Sequence, residues 1–158
     1  MTEIDYQLFT GYPDDKIFQE VAFISNEIFP GTTEERALQF NRTILKGKKN
    51  ILTIIAYQGD QPVGYKQGFE SRPGYFESDT GGVIESARRR GIAHQMLLYQ
   101  QEWCVNNGFR FINTSTGTVS DNNAMLILNL KNGFTVVGTY LDRGSNHRVL
   151  LQKQIAEM

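Results

Sequence analysis

Residues 83–93, Val-Ile-Glu-Ser-Ala-Arg-Arg-Arg-Gly-Ile-Ala, constrain this chain more than any other stretch. They place Gly91 and the small residue Ala93 where an apolar strand pattern hands over to a helical one, in which Ile92, Met96 and Trp103 with Ala93, Leu97 and Cys104 form an apolar face. The first amides of such a helix have no internal partner and point outward. Together with the helix dipole they make a site for a phosphate or pyrophosphate. Gly91 removes the side chain that would hold a phosphate off the backbone, and Ala93 keeps the next turn shallow. Arg88, Arg89 and Arg90 add charge beside those amides and suit phosphate oxygens. A solvated arginine run capping an ordinary helix would use the same residues.

The elements around this turn define the fold class. Ile4, Tyr6 and Leu8 alternate as in an opening strand. Ile17, Val21, Ile24 and Ile28 recur at helical spacing, with Asp14 or Asp15 as the cap and Pro30-Gly31 as the stop; Thr33 and Arg36 to Lys48 predict a second, more polar helix. Ile51–Tyr57 and Val63–Phe69 flank a Gly59-Asp60 turn, and Tyr75–Glu85 follows Arg72-Pro73-Gly74 as the third strand of a meander. Gly81-Gly82 predicts a bulge in that third strand. The long helix stops at Asn107-Gly108. Then come a strand at Phe109–Thr114, a helix at Asp121–Asn132 closed by Gly133, a strand at Thr135–Leu141, and a last strand around Val149, Leu150 and Leu151 after a turn near Gly144. An antiparallel meander followed by βαβ is an α/β (α+β) arrangement on a mixed sheet.

At 158 residues the chain suits one domain, 1–158, and no repeat or linker divides it. A formal charge of −1 gives no reason to expect a nucleic-acid or membrane partner. The one cysteine, Cys104, forms no internal disulfide and is compatible with a reducing compartment. The opening MTEIDYQLFT has two acids and no apolar run, unlike a secretory signal, and no stretch reaches the roughly 18 apolar residues of a membrane span. The expected location is the cytoplasm.

Residues 122–134 add a second motif. Asn122, Met125 and Asn129 fall on one stripe of a helix that ends in Gly133-Phe134, roughly 30 residues after the arginine-glycine turn with one strand between. Arg88-x-x-Gly91-x-Ala93 resembles the Arg/Gln-x-x-Gly-x-Gly/Ala signature of the GNAT superfamily of acetyl-CoA-dependent N-acetyltransferases, and the second motif resembles that family's later helix. The resemblance implies a mostly antiparallel mixed sheet flanked by helices, with one splayed parallel strand pair that admits the thioester. It implies that the loop of residues 88–93 (Arg88, Arg89, Arg90, Gly91, Ile92, Ala93) wraps the coenzyme A pyrophosphate; His94, directly after the turn, is a candidate phosphate contact whose alternative is a helix-surface histidine. In the same way Gly82, Val83 and Ile84 correspond to the strand that bonds the pantetheine arm, and the stripe with Asn122 and Asn129 faces the coenzyme. Phe29-Pro30-Gly31 corresponds to a loop lining the acceptor site, and homodimers are frequent among relatives.

The implied reaction transfers an acetyl group from acetyl-CoA to a primary amine by direct attack in a ternary complex, with no metal. Such attack needs a neutral nucleophile and preorganised donors for the developing oxyanion. Glu77, Asp79 and Glu85 share parity on the strand before the turn; Glu77 and Asp79 are the preferred candidates for the base, although a solvated strand face would look the same. Asn129 stands where the family often has a tyrosine that protonates the departing thiolate, and an amide has no ionisable proton to give. Tyr140 and Ser120 are weak substitutes. Cys104 and His147 lack the partners of a nucleophile or a metal ligand. A non-catalytic acyl-CoA-binding or regulatory module is the alternative that the missing tyrosine supports. Nucleic-acid binding through the arginine triplet lacks an accompanying basic face.

Overall fold

The structure, a computed structural model, describes residues 2–117 and 123–157. Its elements follow the expected order: β1 (Ile4–Thr10), α1 (Asp15–Ile28), α2 (Glu34–Leu45), β2 (Lys49–Gln58), β3 (Gln61–Arg72), β4 (Tyr75–Val83), α3 (Ile92–Asn106), β5 (Phe111–Gly117), α4 (Asn123–Lys131), β6 (Thr135–Leu141) and β7 (His147–Gln154). A single 3-10 turn, Glu85–Ala87, joins β4 to α3. Of the two caps the sequence offers for α1, Asp14 serves, accepting from the Ile17 amide at 2.9 Å; Thr33 caps α2, accepting from the Arg36 amide at 3.2 Å.

The strands form one seven-stranded sheet, ordered β1-β2-β3-β4-β5-β7-β6. Only β4 and β5 run parallel. Alternation along β3 assigns its two faces. Tyr65 and Gln67 reach Ser25 of α1 and Asn41 of α2, and Phe69 packs with Phe18, Leu45 and Ile51. Gly64 lies against Ile92 of α3, and on the same face Phe76 of β4 meets Trp103 edge-on, with ring centroids 5.7 Å apart. Helices therefore cover both faces of the central strands, and Leu52, Ile54 and Ile55 of β2 are wholly buried.

Pairing between β4 and β5 runs only from Tyr75↔Phe111 to Ser78↔Thr114. Beyond that point β4 stays on β3 as far as Val83, and β5 stays on β7 as far as Gly117. The parallel pair is thus splayed. At the fork Thr114 Oγ1 donates to the Ser78 carbonyl at 3.0 Å.

The bulge lies elsewhere than at Gly81-Gly82. Gln67 pairs with Thr80 and Gly68 with Ser78, so the extra residue in β4 is Asp79. The glycines answer close packing instead: a Cβ at Gly81 would stand 2.8 Å from the Tyr65 carbonyl oxygen, and one at Gly82 would stand 2.6 Å from Ile28 Cδ1. The shared parity of Glu77, Asp79 and Glu85 is lost as well, because the bulge intervenes and Glu85 leaves the strand for the 3-10 turn. The fifth strand starts later than expected, at Phe111. Phe109 is drawn into the core beside Phe76, and the Arg110 and Phe111 amides both bond the Gly74 carbonyl.

Candidate active site

The fork opens into a cavity of about 240 Å³. Ser78 to Gly82 form one wall, Thr114 to Gly117 the facing one, Ala93 and Met96 of α3 with Met125 and Asn129 of α4 a third; Phe29, Tyr65, Lys66 and Arg148 complete it. Beyond Ser78 the edge of β4 that faces β5 has no strand partner, so its peptide groups are open to whatever enters the fork.

Beside the fork, α3 begins at Gly91, which has φ +74° and open space where a Cβ would stand. No side chain caps this helix. Arg89 also has positive φ, at +63°, so two residues of positive φ frame the turn. The arginines divide. Arg88 Nε donates to the Val83 carbonyl at 2.9 Å and pins the end of β4. Arg90 reaches back to Gln58 Oε1 at 3.2 Å and the Thr2 carbonyl at 2.9 Å. Arg89 alone of the triplet shows no hydrogen bond or ion pair among the described residues. His94 is exposed and bonds Asn132 Oδ1 through Nε2 at 3.0 Å, tying the start of α3 to the end of α4.

The other sequence-derived candidates separate as follows. Gly82, Ala93, Asp79 and Asn129 come together around the cavity, with Asn129 only 3% exposed. Val83, Ile84 and Ile92 are core residues behind it. Glu77 does not line this cavity; its strand neighbour in register is Phe69, on the α1–α2 face. Asn122 and Ser120 lie outside the described residues. Tyr140 is on β6, 42% exposed and away from the cavity walls.

A second cavity, about 410 Å³, lies between the α1–α2 pair and β4. Val21, Ala37, Phe40 and Ile44 give it an apolar lining, and Phe29, Tyr65, Asp79 and Thr80 belong to both cavities. Tyr65 braces the shared wall, its hydroxyl accepting from Ser25 Oγ at 3.1 Å and lying 2.9 Å from Thr80 Oγ1. The bulge therefore brings one carboxylate to the junction of two chambers. Burial raises the Asp79 pKa, against the opposing charges of Lys48 and Arg148. Burial, with the Asp79 charge adding to it, carries Glu77 up to about 7.

Sequence reading missed Tyr65, Lys66, Thr116 and Arg148, all on the cavity wall. One signal was available for Lys66. It sits in the middle of a strand whose apolar neighbours Val63, Tyr65 and Phe69 mark it as central, with glycines at 64 and 68 on its own face. Burial lowers its amine to about 8, with Cys104 acting weakly the other way. Burial pushes the Cys104 thiol up to about 12, which leaves it a packing residue.

A family model described as the acetyltransferase (GNAT) family matches residues 16–134. The chain belongs to the GNAT family of acetyltransferases. Membership makes it an acyltransferase, and the fold agrees. The GNAT architecture is shared with a putative GNAT acetyltransferase from Desulfovibrio desulfuricans (TM-score 0.77, 12% identity, 98% of this chain and 100% of that one). It is shared too with an aminoglycoside 6′-N-acetyltransferase complexed with coenzyme A (0.75, 11%, 96% and 98%). A third match is the ribosomal-protein-S18-alanine N-acetyltransferase of Escherichia coli (0.75, 10%, 98% and 96%). No curated protein sequence matches the chain significantly. Among the described residues no helix of this GNAT protein is long and apolar enough to cross a membrane, and no group of His, Cys, Asp and Glu is placed to hold a metal ion.

Proposed function

We propose that this GNAT protein transfers an acetyl group from acetyl-CoA to a primary amine by direct attack, the donor entering the fork from the α3 side and the acceptor entering from the α1–α2 side. The observation that carries this reading is the meeting of the two cavities at Asp79. The chain's own residues fit the donor. Uncapped amides at the start of α3 and the open space at Gly91 suit a pyrophosphate, with Arg89 free to pair with it. The unpaired edge of β4 suits an amide-bearing arm, and Asn129 offers that arm or its sulfur a hydrogen bond from the far wall.

Asp79 is the one carboxylate lining either cavity among the described residues. It takes a proton from the entering ammonium, either directly or through a water, and hands it to solvent. An N–H of the open β4 edge stabilises charge on the thioester carbonyl oxygen. The apolar lining and the single carboxylate favour an amine carried on an aliphatic or aromatic body over a polycation, whose further charges would find no partner there.

The test is free-thiol release from acetyl-CoA across an amine panel that includes phenylethylamine, spermidine and a short peptide, beside direct titration of acetyl-CoA binding. Release with phenylethylamine ahead of spermidine is expected. Binding without release for every amine would favour the non-catalytic module, the reading that Asn129 at the acid position supports.

A further inference from the structure

Lys66 is a cation on the fork cavity that makes no ion pair among the described residues. It lies in β3 opposite Gly81, where a Cβ would stand 3.3 Å from Lys66 Cα and 3.6 Å from Lys66 Cβ, so β4 packs closely against the base of the lysine. Lys66 lines the fork cavity together with Ser78, Met96, Thr116 and Asn129. Among the described residues its ammonium has neither an ion pair nor a hydrogen bond. The titratable groups around it do not neutralise it. Cys104 of α3 holds a neutral thiol, while Asp79 of β4 and Arg148 of β7, on the same cavity, act on each other. A half-enclosed ammonium without a partner is unfavourable until an anion arrives. In this fork the anion produced by the reaction is a thiolate, and Asn129 has no proton to give it.

Resting on the acetyl-transfer reading, we propose that Lys66 is the catalytic acid that protonates the departing coenzyme A thiolate. The acceptor nitrogen forms a bond to the acetyl carbonyl carbon; the C–S bond breaks with its electron pair on sulfur; the ammonium proton of Lys66 moves to that sulfur and leaves a neutral amine. On becoming an amide the acceptor ammonium sheds two protons. One leaves through Asp79 and the other restores the Lys66 ammonium, so one proton is released per turnover. The energetics support the transfer: an amine at about 8 is still largely protonated at neutral pH, and it lies near the ~8.5 of an ordinary thiol, so the step is close to thermoneutral.

The experiment compares the wild type with Lys66→Met, which keeps the packed stem, and Lys66→Arg, whose guanidinium keeps the charge but does not release a proton. Lys66→Met is expected to lower kcat about a hundredfold and to abolish the wild-type decline of kcat above the lysine's titration. KM for acetyl-CoA is expected to change by no more than about threefold. A second readout needs no turnover. The thiol of bound coenzyme A, followed by thiolate absorbance, should titrate about one pH unit lower in the wild type and Lys66→Arg than in Lys66→Met. The protein's single cysteine, Cys104, does not interfere because its own thiol is held near 12.

Unchanged kcat, alkaline limb and bound-thiol titration in Lys66→Met would overturn the proposal. So would acetylation of Lys66 Nζ on incubation with acetyl-CoA alone, seen by mass spectrometry, since it would make this amine an acceptor. If no amine releases thiol from the wild type, the transfer reading falls. The bound-thiol titration then still decides whether Lys66 meets the sulfur.

Discussion

The two cavities that meet at Asp79 are built of different materials. The fork between β4 and β5 is walled by backbone, glycine and short side chains, including Gly81, Gly82, Ala93 and Thr114 to Gly117, and it opens beside an uncapped helix start. The α1–α2 cavity is walled by Val21, Phe29, Ala37, Phe40 and Ile44, with Phe40 70% exposed at its rim. Main-chain amides and absent side chains can serve a ligand whose polar skeleton is constant. An apolar lining instead recognises shape, through side chains that can be exchanged with little effect on the backbone. Donor recognition and acceptor recognition should therefore be separable by mutation, with Asp79 as the one carboxylate they share.

The strongest way to break this comparison acts on the donor side. Gly91→Glu places a carboxylate in the open space at the start of α3 and should weaken acetyl-CoA binding more than about a hundredfold in a calorimetric titration, through loss of the amide site and charge repulsion. Gly91→Ala controls for backbone strain at φ +74°; it should reduce stability by about 1 kcal/mol and leave affinity within a few-fold. Unchanged affinity in Gly91→Glu would remove the pyrophosphate from this turn.

At the junction, Asp79→Asn should lower kcat about a hundredfold while the dissociation constant for acetyl-CoA stays put. A comparable loss of donor affinity would mean that Asp79 belongs to the fork alone. On the acceptor side, Ala37→Trp fills part of the α1–α2 cavity and should raise the acceptor KM about tenfold at constant KM for acetyl-CoA. Equal effects on both substrates would deny that the chambers are separate.

The same contrast of materials explains what could be read from the chain. The element order follows from local periodicity and from punctuation at Pro30-Gly31, Asn107-Gly108 and Gly133. The donor turn was legible because its parts, Arg88 to Ala93, are contiguous. The bulge at Asp79 was not, since strand register is decided by β3 and by the close approach of Gly81 and Gly82 to Tyr65 and Ile28. Nor could spacing show that Arg88 and Arg90 are engaged with Val83, Gln58 and Thr2, leaving Arg89 free. The acceptor cavity gathers residues from 21 to 44 with Tyr65, Asp79 and Thr80, a set that only tertiary packing assembles. Lys66 was overlooked for a related reason: a lysine in a strand reads as solvated until helices are known to cover both faces.

The finest test concerns the acid beside the junction. Glu77 lies two residues before Asp79 yet lines neither cavity, and burial with the Asp79 charge holds its pKa at about 7 instead of 4.5. The native state thus binds this proton more tightly than the unfolded chain does. Between about pH 4.5 and 7 the native state carries the extra proton, so stability falls as pH rises through that window, and the full penalty remains above it. Glu77→Gln should therefore stabilise the protein by about 1–2 kcal/mol at pH 8, allowing for partial exposure of the carboxyl, and leave it nearly unchanged below pH 4.5 in denaturant titrations. Its kcat should keep the acid limb of the wild type, because the proton acceptor is Asp79. Loss of that limb in Glu77→Gln would move the base off the shared wall, and the junction of the two cavities would no longer be where the proton is taken.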